Sequence, residues 1–586
     1  MRRRNPFIAR LIDAARGGDS GASSSSYQLP CFPLESHHFG QLTDARQGVV
    51  AATPSGFHSY LCNRIRTAKE RVVLASLYIG VGSNAKYKSV SSTSFDESSK
   101  IFYDCKEDEL LQSICDTTAP KIQILLDANR AMRRVSLTTT TTTTTTTTNN
   151  DDNDNINNSQ SLRTNSAEAV YSRIYPLLDK CQNSGVFLFP VKDERISRIL
   201  SSPLDEVAGV FHIKAYIVDD ELILSGANLS EEYFSNRLDR YMLFTNGGAG
   251  LVDFYANLCD ILCDYATRYD GHSDNGANGV PTLTSRHDDK ARKRKLELAL
   301  MNLFHNAKNQ QVRRHHDLEE ENDEVVAWAI PTIQIPTKLL GSMNIPSDTK
   351  VTRNMLSLAL GSDLSLASVR LCSAYLNVTD NLMSVLTNNH GMTNGNNARA
   401  TYLLTAGEVS HGFSPKRGGG TKNDKKSGIV EYIKAAIPTA FLALAKKTAQ
   451  SIVASGGKIF LYERPGWIFH AKGIWITIND NDHNATTHSP NANNPEIIDN
   501  QSCLVATIIG SSNFGSRSEN LDLESNCILI FNDTMKHNND DKVKKSVSAE
   551  WNQLCEHSNE LSDLNVDVSS NNILMHFLLK FMRCYL

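Results

Sequence analysis

The chain has 586 residues, of which 40% are hydrophobic, and its formal net charge is −4. This length predicts about two to four domains with sizeable cores, and the near-neutral charge argues against a general nucleic-acid-binding surface. The twelve cysteines are scattered. Cys259 and Cys263 form a lone C-x3-C without a second pair or a nearby histidine, so reduced thiols are expected rather than a zinc site. No stretch approaches the roughly 18 apolar residues that span a bilayer.

Residues 1–45 are predicted to be a targeting and linker segment. The first sixteen residues carry five arginines and one acid, Asp13, with apolar residues at helical spacing, and the serine-rich stretch Ser23–Ser26 follows. This composition is typical of a mitochondrial or plastid transit peptide. A solvated basic tail is the alternative.

The first domain is predicted over residues 46–268, where helical and strand patterns alternate. Helices are predicted near 60–68, 108–115 and 167–182, and strands at 71–79, 122–126 and 186–190. Residues 136–166 interrupt this pattern with eleven consecutive threonines and an Asn/Asp-rich tract. Such a segment cannot bury apolar area, so it is predicted to be a disordered insertion.

The most informative stretch runs from Phe211 to Tyr241. Residues 210–218 and 222–225 read as two strands joined by an acidic turn. Alternation with a period of two puts His212 and Lys214 on one face of the first strand. An imidazole beside an ammonium suits a phosphate ester, but an isolated His-x-Lys pair is more often the polar face of an ordinary strand.

A second half repeats this order. After a predicted linker and charged helix at 269–324, a second domain is predicted over 325–586. Its segment Leu371–Leu376 echoes Leu74–Ile79, and Thr401–Thr405 parallels Ile122–Leu126. Alternating strands and helices favour an α/β fold. Two similar α/β halves, each unable to complete a site alone, predict a pseudo-dimer with the active site at the seam.

The His-x-Lys pair is also repeated, with the same spacing to later residues. His470 and Lys472 precede another strand pattern. Asn228 is followed eleven residues later by Asp239, and Asn513 eleven residues later by Glu524. Two copies of His-x-Lys, a small turn with Asn, and a spaced carboxylate are unlikely to arise by chance.

These residues resemble the phospholipase D superfamily, whose signature is His-x-Lys-x4-Asp followed by a Gly-Ser-x-Asn element. The first copy fits through Asp219, which we group with the catalytic residues His212, Lys214, His470 and Lys472. The second copy departs, because Thr477 stands where the acid would be. The resemblance implies that this aspartate is mainly structural.

The wider context is similar to the eukaryotic mitochondrial phosphatidylglycerophosphate synthases. The matching stretches are Arg71–Tyr78, Ser225–Ser230, Tyr233–Phe234, Asn236–Arg237, Asp239–Tyr241, Arg464–Trp467, Asn513–Gly515 and Arg517–Ser518. This resemblance implies transfer of a phosphatidyl group from CDP-diacylglycerol to sn-glycerol 3-phosphate, with release of CMP. It also implies a mitochondrial protein in peripheral contact with the inner membrane, with no nucleic-acid partner and no cofactor.

The resemblance also suggests roles for the repeated residues. By analogy, His212 is the nucleophile and His470 the general acid and then base, although either order fits the sequence. Asp239 and Glu524 are candidates to accept a hydrogen bond from the other ring nitrogens and so fix the tautomers. The two lysines and the two asparagines of the repeated motifs are expected to donate hydrogen bonds to the non-bridging phosphate oxygens, so that no metal is required: Lys214, Lys472, Asn228 and Asn513.

Four arginines are candidates to bind the second phosphate of glycerol 3-phosphate or the pyrophosphate: Arg237, Arg240, Arg464 and Arg517. Structural pairing is the alternative role for each. Tyr78 and Tyr375 stand at equivalent points of the two halves and are candidates to reach the site, with packing as the alternative.

Three other functions stay open. The first is another enzyme on the same scaffold, namely a cardiolipin synthase, a phosphatidylserine synthase or a phospholipid hydrolase, because acceptor choice lies in pocket contacts. The second is a nuclease or tyrosyl-DNA phosphodiesterase, which the near-neutral charge, Asp219 and the transit-like N-terminus disfavour. The third is a catalytically dead lipid-binding or scaffolding protein, which both complete sets of His, Lys and Asn disfavour.

Overall fold

The computed structural model of the chain describes residues 6–17, 28–41, 53–81, 105–136, 163–178, 181, 183–191, 209–271, 286–317, 325–341, 343–361, 367–387, 401–412, 429–479, 498, 502–532, 540–562 and 579. The helices are α1 (Pro6–Ala15), α2 (Pro54–Arg66), α3 (Lys106–Cys115), α4 (Ala128–Ala131), α5 (Ser166–Leu178), α6 (Glu231–Ser235), α7 (Leu251–Tyr265), α8 (Arg286–Asp317), α9 (Thr337–Leu340), α10 (Asp348–Gly361), α11 (Asp380–Thr387), α12 (Ile429–Ala454), α13 (Ser516–Asn520) and α14 (Asp540–Cys555). Most of the predicted insertion at 136–166 lies outside the described residues.

The strands are β1 (Phe32–Leu34), β2 (Phe39–Gln41), β3 (Arg71–Ser76), β4 (Lys121–Asp127), β5 (Val135–Ser136), β6 (Arg163–Thr164), β7 (Gly185–Phe189), β8 (Ala215–Val218), β9 (Glu221–Ser225), β10 (Arg237–Leu238), β11 (Tyr241–Phe244), β12 (Thr267–Arg268), β13 (Ala327–Gln334), β14 (Ala367–Cys372), β15 (Thr401–Ala406), β16 (Lys458–Tyr462), β17 (Ile468–Phe469), β18 (Gly473–Asn479), β19 (Ser502–Gly510), β20 (Glu524–Phe531) and β21 (Ser558–Glu560). Among the described helices, none combines the length and the apolar character that crossing a bilayer requires.

Two large sheets share one strand order. The first sheet runs β12-β7-β4-β3-β8-β9-β11-β2, and the second runs β21-β16-β15-β14-β18-β19-β20-β13-β1. In each sheet three parallel strands are followed by antiparallel neighbours: β7, β4 and β3 in the first, β16, β15 and β14 in the second. The predicted α/β pseudo-dimer is therefore confirmed, and β14 and β15 correspond to β3 and β4 as the sequence echoes indicated.

The parallel strands are apolar on both faces because the sheet is covered on both faces. In β3, Val73 and Ala75 belong to the large core that runs through both halves. Val72 and Leu74 point the other way, into a second core formed with α2, α3 and α5. Such strands read as continuous apolar runs rather than alternating ones.

The described parts of the N-terminal segment, residues 6–17 and 28–41, pack against the rest of the fold, and the targeting role of residues 1–45 stays a prediction. The apolar face of α1 is buried against α10 and β20 of the second half. Strand β1 pairs with β13 of the second sheet, and β2 pairs with β11 of the first. An amphipathic basic helix satisfies a targeting pattern and a core-packing pattern equally well, so composition did not distinguish them.

Short backbone contacts join the two halves at the seam. Strand β10 of the first half lies parallel to β17 of the second, with Leu238 opposite Phe469. A parallel bridge also pairs Phe211 with Leu523. These two contacts set the register in which the halves meet.

Arg240 forms a buried cross-seam network, which corrects its prediction as a phosphate ligand. Its side chain is 1% exposed and donates to the Glu550 carboxylate at 2.7 Å and to the Ile508 carbonyl at 2.7 Å. Its guanidinium also lies 3.9 Å from the ring centroid of Trp475. This buried guanidinium joins the first half to the second and is not available to a substrate.

Replacement of Gly209 should weaken the seam. Its φ of +101° is unfavourable for any residue with a Cβ, and a Cβ there would overlap the backbone carbonyl of Leu521. Gly209→Ala is expected to lower the melting temperature more than Gly456→Ala. Gly456 has a φ of +85° but open space around it, so its substitution costs backbone strain alone. Equal melting temperatures for the two variants, measured by thermal unfolding, would contradict the steric argument.

Removal of the Arg240 cation should be strongly destabilising. Arg240→Met leaves the Glu550 carboxylate buried without its partner, and breaking a buried ion pair in this way costs about 3–5 kcal/mol of unfolding free energy. The double variant Arg240→Met/Glu550→Met removes both charges and should recover most of that loss. Denaturant unfolding measures both, and a single variant as stable as the wild type would show that the network contributes nothing.

Candidate active site

The two His-x-Lys segments lie at the seam, each just before a central strand. His212 and Lys214 lead into β8, and His470 and Lys472 lead into β18. All four side chains are buried, with exposures of 8%, 1%, 4% and 1%. Each lysine Nζ donates to the carbonyl of its own histidine at 2.8 Å, so each ammonium lies next to its imidazole as the alternation predicted.

The carboxylates that orient the histidines cross the seam. Nδ1 of His212 lies 2.9 Å from Oε2 of Glu524, and Nδ1 of His470 lies 2.6 Å from Oδ2 of Asp239. The sequence predicted these two acids as the acceptors, but not that each serves the histidine of the other half. Lys472 Nζ is also 3.4 Å from the Asp239 carboxylate.

Backbone hydrogen bonds deliver these acids to their positions. The His212 amide donates to the Leu523 carbonyl at 2.9 Å, directly before Glu524 in the chain. The His470 amide donates to the Leu238 carbonyl at 2.8 Å, directly before Asp239. The two parallel contacts at the seam therefore each fix one histidine–carboxylate pair.

This arrangement leaves two neutral imidazoles. Burial, together with the neighbouring Lys214 ammonium, lowers the pKa of His212 well below its usual value. Burial, with Lys472 and Arg237 nearby, does the same to the pKa of His470. With Nδ1–H donated to a carboxylate, Nε2 of each ring keeps a lone pair that can attack or accept a proton.

The loops after β9 and β19 bring the two asparagines to the same region. The side-chain oxygens of Asn228 and Asn513 are buried and accept no hydrogen bond from the described residues. A Cβ on Gly226 would overlap Nζ of Lys472 and lie 2.7 Å from the Asp239 carboxylate. The glycine of the first loop therefore permits the lysine of the other half to approach the backbone.

Asp219 is not brought to the site. It lies at the far end of β8 from His212, where Oδ1 accepts backbone N–H bonds from Lys69, Glu70 and Arg71 at 3.1, 2.8 and 3.2 Å. These contacts anchor the end of the strand, which agrees with the structural role that the resemblance implied and corrects only the grouping of Asp219 with the catalytic residues. Thr477 occupies the equivalent position and accepts from the Arg370 guanidinium at 2.8 Å.

The other predicted arginines differ in their positions. The Arg237 guanidinium lies 4.6 Å from the Tyr233 ring centroid and close enough to His470 to lower its pKa. Arg517 pairs with the Asp522 carboxylate at 2.9 Å, beside His212. Arg464 stacks 4.0 Å from the Trp467 ring on a more exposed loop.

Tyrosines line the His470 side of the site. Tyr375 makes an edge contact with the His470 ring at a centroid distance of 6.4 Å, and Tyr78 lies near Arg237 and Tyr233. Tyr233, which sequence reasoning cited only as part of a matching stretch, places its hydroxyl 3.2 Å from Nε2 of His470. Its position five residues after Asn228 was the signal that could have identified it.

Two further polar residues were missed on the His212 side. Asp522 accepts the Val210 amide at 2.9 Å, and Ser518 donates to Oε1 of Glu524 at 2.8 Å. His212, Asp522 and Glu524 offer ligand atoms close enough together for a cation. However, both carboxylates are already engaged by Arg517, Ser518 and the His212 ring, so this donor set is arranged for hydrogen bonding.

Comparisons with known proteins extend the resemblance to most of the chain. No family model matches it. It is 25% identical over 490 residues to the probable CDP-diacylglycerol–glycerol-3-phosphate 3-phosphatidyltransferase of Dictyostelium discoideum, covering 81% of this chain and 68% of that protein. It is 27% identical over 508 residues to the mitochondrial CDP-diacylglycerol–glycerol-3-phosphate 3-phosphatidyltransferase of Homo sapiens, covering 82% and 73%.

A solved structure has the same fold. The phosphatidylserine synthase of Haemophilus influenzae aligns with a TM-score of 0.55 at 15% identity, over 99% of this chain and 98% of that one. The chain thus shares the fold of that synthase and is a homologue of the CDP-diacylglycerol–glycerol-3-phosphate 3-phosphatidyltransferases.

Proposed function

We propose that the protein transfers a phosphatidyl group from CDP-diacylglycerol to sn-glycerol 3-phosphate, giving phosphatidylglycerophosphate and CMP in phosphatidylglycerol and cardiolipin biosynthesis. The observation that carries this proposal is the pair of crossed histidine–carboxylate contacts at the seam, in a chain homologous to such transferases over four-fifths of its length. We further propose a mitochondrial location, supported by the names of the animal relatives, with peripheral contact with the inner membrane.

The first step forms a covalent intermediate. The lone pair on Nε2 of His212 attacks the phosphorus that carries diacylglycerol. A P–N bond forms as the P–O bond to CMP breaks, and the electron pair leaves on the CMP oxygen. Splitting the transfer in this way replaces one difficult displacement with two easier ones.

The second step uses the acceptor alcohol. The glycerol hydroxyl attacks the same phosphorus, the P–N bond breaks, and its electron pair returns to His212. The hydroxyl proton passes to Nε2 of neutral His470 and then to solvent. Asp239 stabilises the imidazolium that forms, since its carboxylate already holds Nδ1–H at 2.6 Å.

Negative charge on the five-coordinate phosphorus needs preorganised donors. Lys214 and Lys472 flank the two imidazoles, and Asn228 and Asn513 lie on the adjoining loops. Burial lowers the pKa of both ammonium groups, and an arriving phosphate would favour their protonated forms. Donors fixed in a buried site stabilise such charge more strongly than water does.

The Arg237 guanidinium, which lies near His470, supports the proposal that the acceptor alcohol carries a phosphate. Nη1 of Arg237 holds the half-exposed Glu232 carboxylate at 2.8 Å, while its buried Nε makes no hydrogen bond to the described residues. A cation beside His470 with a donor to spare suits the phosphate of glycerol 3-phosphate. Arg464 and Arg517 remain candidates for the pyrophosphate.

The central test uses purified protein, CDP-diacylglycerol and labelled glycerol 3-phosphate, with EDTA present. The wild type should make labelled phosphatidylglycerophosphate, and His212→Ala and His470→Ala should lose it, because each lacks a group needed for turnover. His212→Ala should also fail to release CMP. Release of CMP with phosphatidic acid as the only lipid product would indicate a hydrolase, and transfer to serine instead would indicate the wrong acceptor.

Arg237 should determine acceptor affinity. Arg237→Gln is expected to raise KM for glycerol 3-phosphate by about tenfold or more, the loss of one charge-assisted hydrogen bond, with a smaller effect on CMP release. Arg64→Gln is a matched control, because Arg64 also pairs with a glutamate, Glu221 at 2.8 Å, but far from the histidines. Equal effects of the two substitutions on KM would remove Arg237 from the acceptor site.

A further inference from the structure

We propose that Tyr233 is a further catalytic residue, whose hydroxyl relays the proton of the acceptor alcohol to Nε2 of His470. This relay makes His470 the base and His212 the nucleophile. The inference rests on the transfer reaction proposed above and distinguishes the two histidines, which sequence spacing could not do.

The two reactive nitrogens have different environments. Nε2 of His470 lies 3.2 Å from the Tyr233 hydroxyl, whose oxygen in turn accepts from Nδ2 of Asn228 at 3.0 Å. No described residue hydrogen-bonds Nε2 of His212. A nucleophile needs an unobstructed lone pair, and a base needs a path for the incoming proton. The geometry therefore gives His212 the first role and His470 the second.

The asymmetry originates in one pair of equivalent positions. Five residues after Asn228 stands Tyr233, and five residues after Asn513 stands Ser518. Ser518 is too short to reach across the seam; it accepts the Asn513 amide at 3.1 Å and donates to Glu524 at 2.8 Å. The two equivalent loops thus place a phenol beside His470 and a short hydroxyl side chain beside Glu524.

The relay balances without any additional reactant. As the alcohol oxygen bonds to phosphorus, its proton moves to the Tyr233 oxygen, and the phenolic proton moves to Nε2 of His470. The P–N bond to His212 breaks and its electron pair returns to the ring. Tyr233 ends the step as a neutral phenol, and the proton rests on His470 until solvent takes it.

The surroundings suit a phenol that passes a proton but does not keep a charge. Burial raises the pKa of Tyr233 well above its usual value, which disfavours a stable tyrosinate. The Asn228 donor and the Arg237 guanidinium, 4.6 Å from the ring centroid, stabilise the transient negative charge on the phenol oxygen. An edge contact with the His470 ring at 5.1 Å keeps the two groups aligned.

The experiment separates the two half-reactions of Tyr233→Phe. Rapid mixing with CDP-diacylglycerol measures the CMP burst and the mass of the His212 adduct, and subsequent addition of glycerol 3-phosphate measures transfer. The burst should stay near the wild-type rate while transfer slows about 10–100-fold, the range for loss of a proton-transfer group. Tyr60→Phe is the matched control, since it loses a hydroxyl bond to Glu221 outside the site.

A double-mutant cycle with His470→Ala keeps the test independent of folding. If Tyr233 acts through His470, then Tyr233→Phe should slow the residual single-turnover decay of the His212 adduct no further in the His470→Ala background. Additive losses there, or equal slowing of burst and transfer in the single variant, would overturn the relay. So would transfer by Tyr233→Phe at the wild-type rate.

The pH profile provides a second readout. The groups that face His470 are Asp239, Lys472, Arg237, Lys214, His212, Tyr233 and Tyr375. The phenol donates to the neutral ring, so its loss should raise the pKa of His470. The acidic limb of the transfer rate should then move to higher pH in Tyr233→Phe. An acidic limb at the same pH in both proteins would refute the relay. A wild type that forms the His212 adduct but does not transfer it to glycerol 3-phosphate would instead refute glycerol 3-phosphate as the acceptor.

Discussion

The site depends on two carboxylates that reach across the seam. Glu524 orients His212 and Asp239 orients His470, so neither half contains a complete histidine–carboxylate pair. The parallel contacts of the histidine amides with Leu523 and Leu238 deliver both acids at once. A slip of one residue in either contact would turn the acid to the other face. Packing of the halves and formation of the reactive tautomers are therefore one event.

This constraint concentrates charge inside the protein. Two lysines, two carboxylates and two imidazoles are buried together, and burying ionisable groups costs folding free energy even when they are paired. The apolar core that runs through both halves offsets that cost at the seam. The same burial lowers the pKa of both histidines, so the feature that opposes stability also favours neutral imidazoles.

The two halves share one strand order, but equivalent positions in them carry different side chains with different contacts. Asp219 anchors the end of β8 on three backbone amides, while its counterpart Thr477 is held by Arg370. A hydrogen-bonding side chain fills this position in both halves, and it carries a negative charge only in the first. Tyr233 is long enough for its hydroxyl to contact His470 across the seam, whereas the shorter Ser518 contacts Glu524. Equivalent positions thus preserved the topology but not the environment of the two imidazoles.

The sequence by itself determined the duplicated α/β framework, the two His-x-Lys pairs and the acids eleven residues after each asparagine, because period-two alternation and short spacings are local properties. It could not choose between a site role and a structural role for Arg240 and Asp219, and it did not show that residues 6–17 and 28–41 pack against both halves. Only the tertiary structure decided that Arg240 is buried, that the carboxylates cross the seam and that Tyr233 meets His470. Those contacts join residues more than 200 positions apart, and their formation depends on how two packed sheets face each other, which no local pattern encodes.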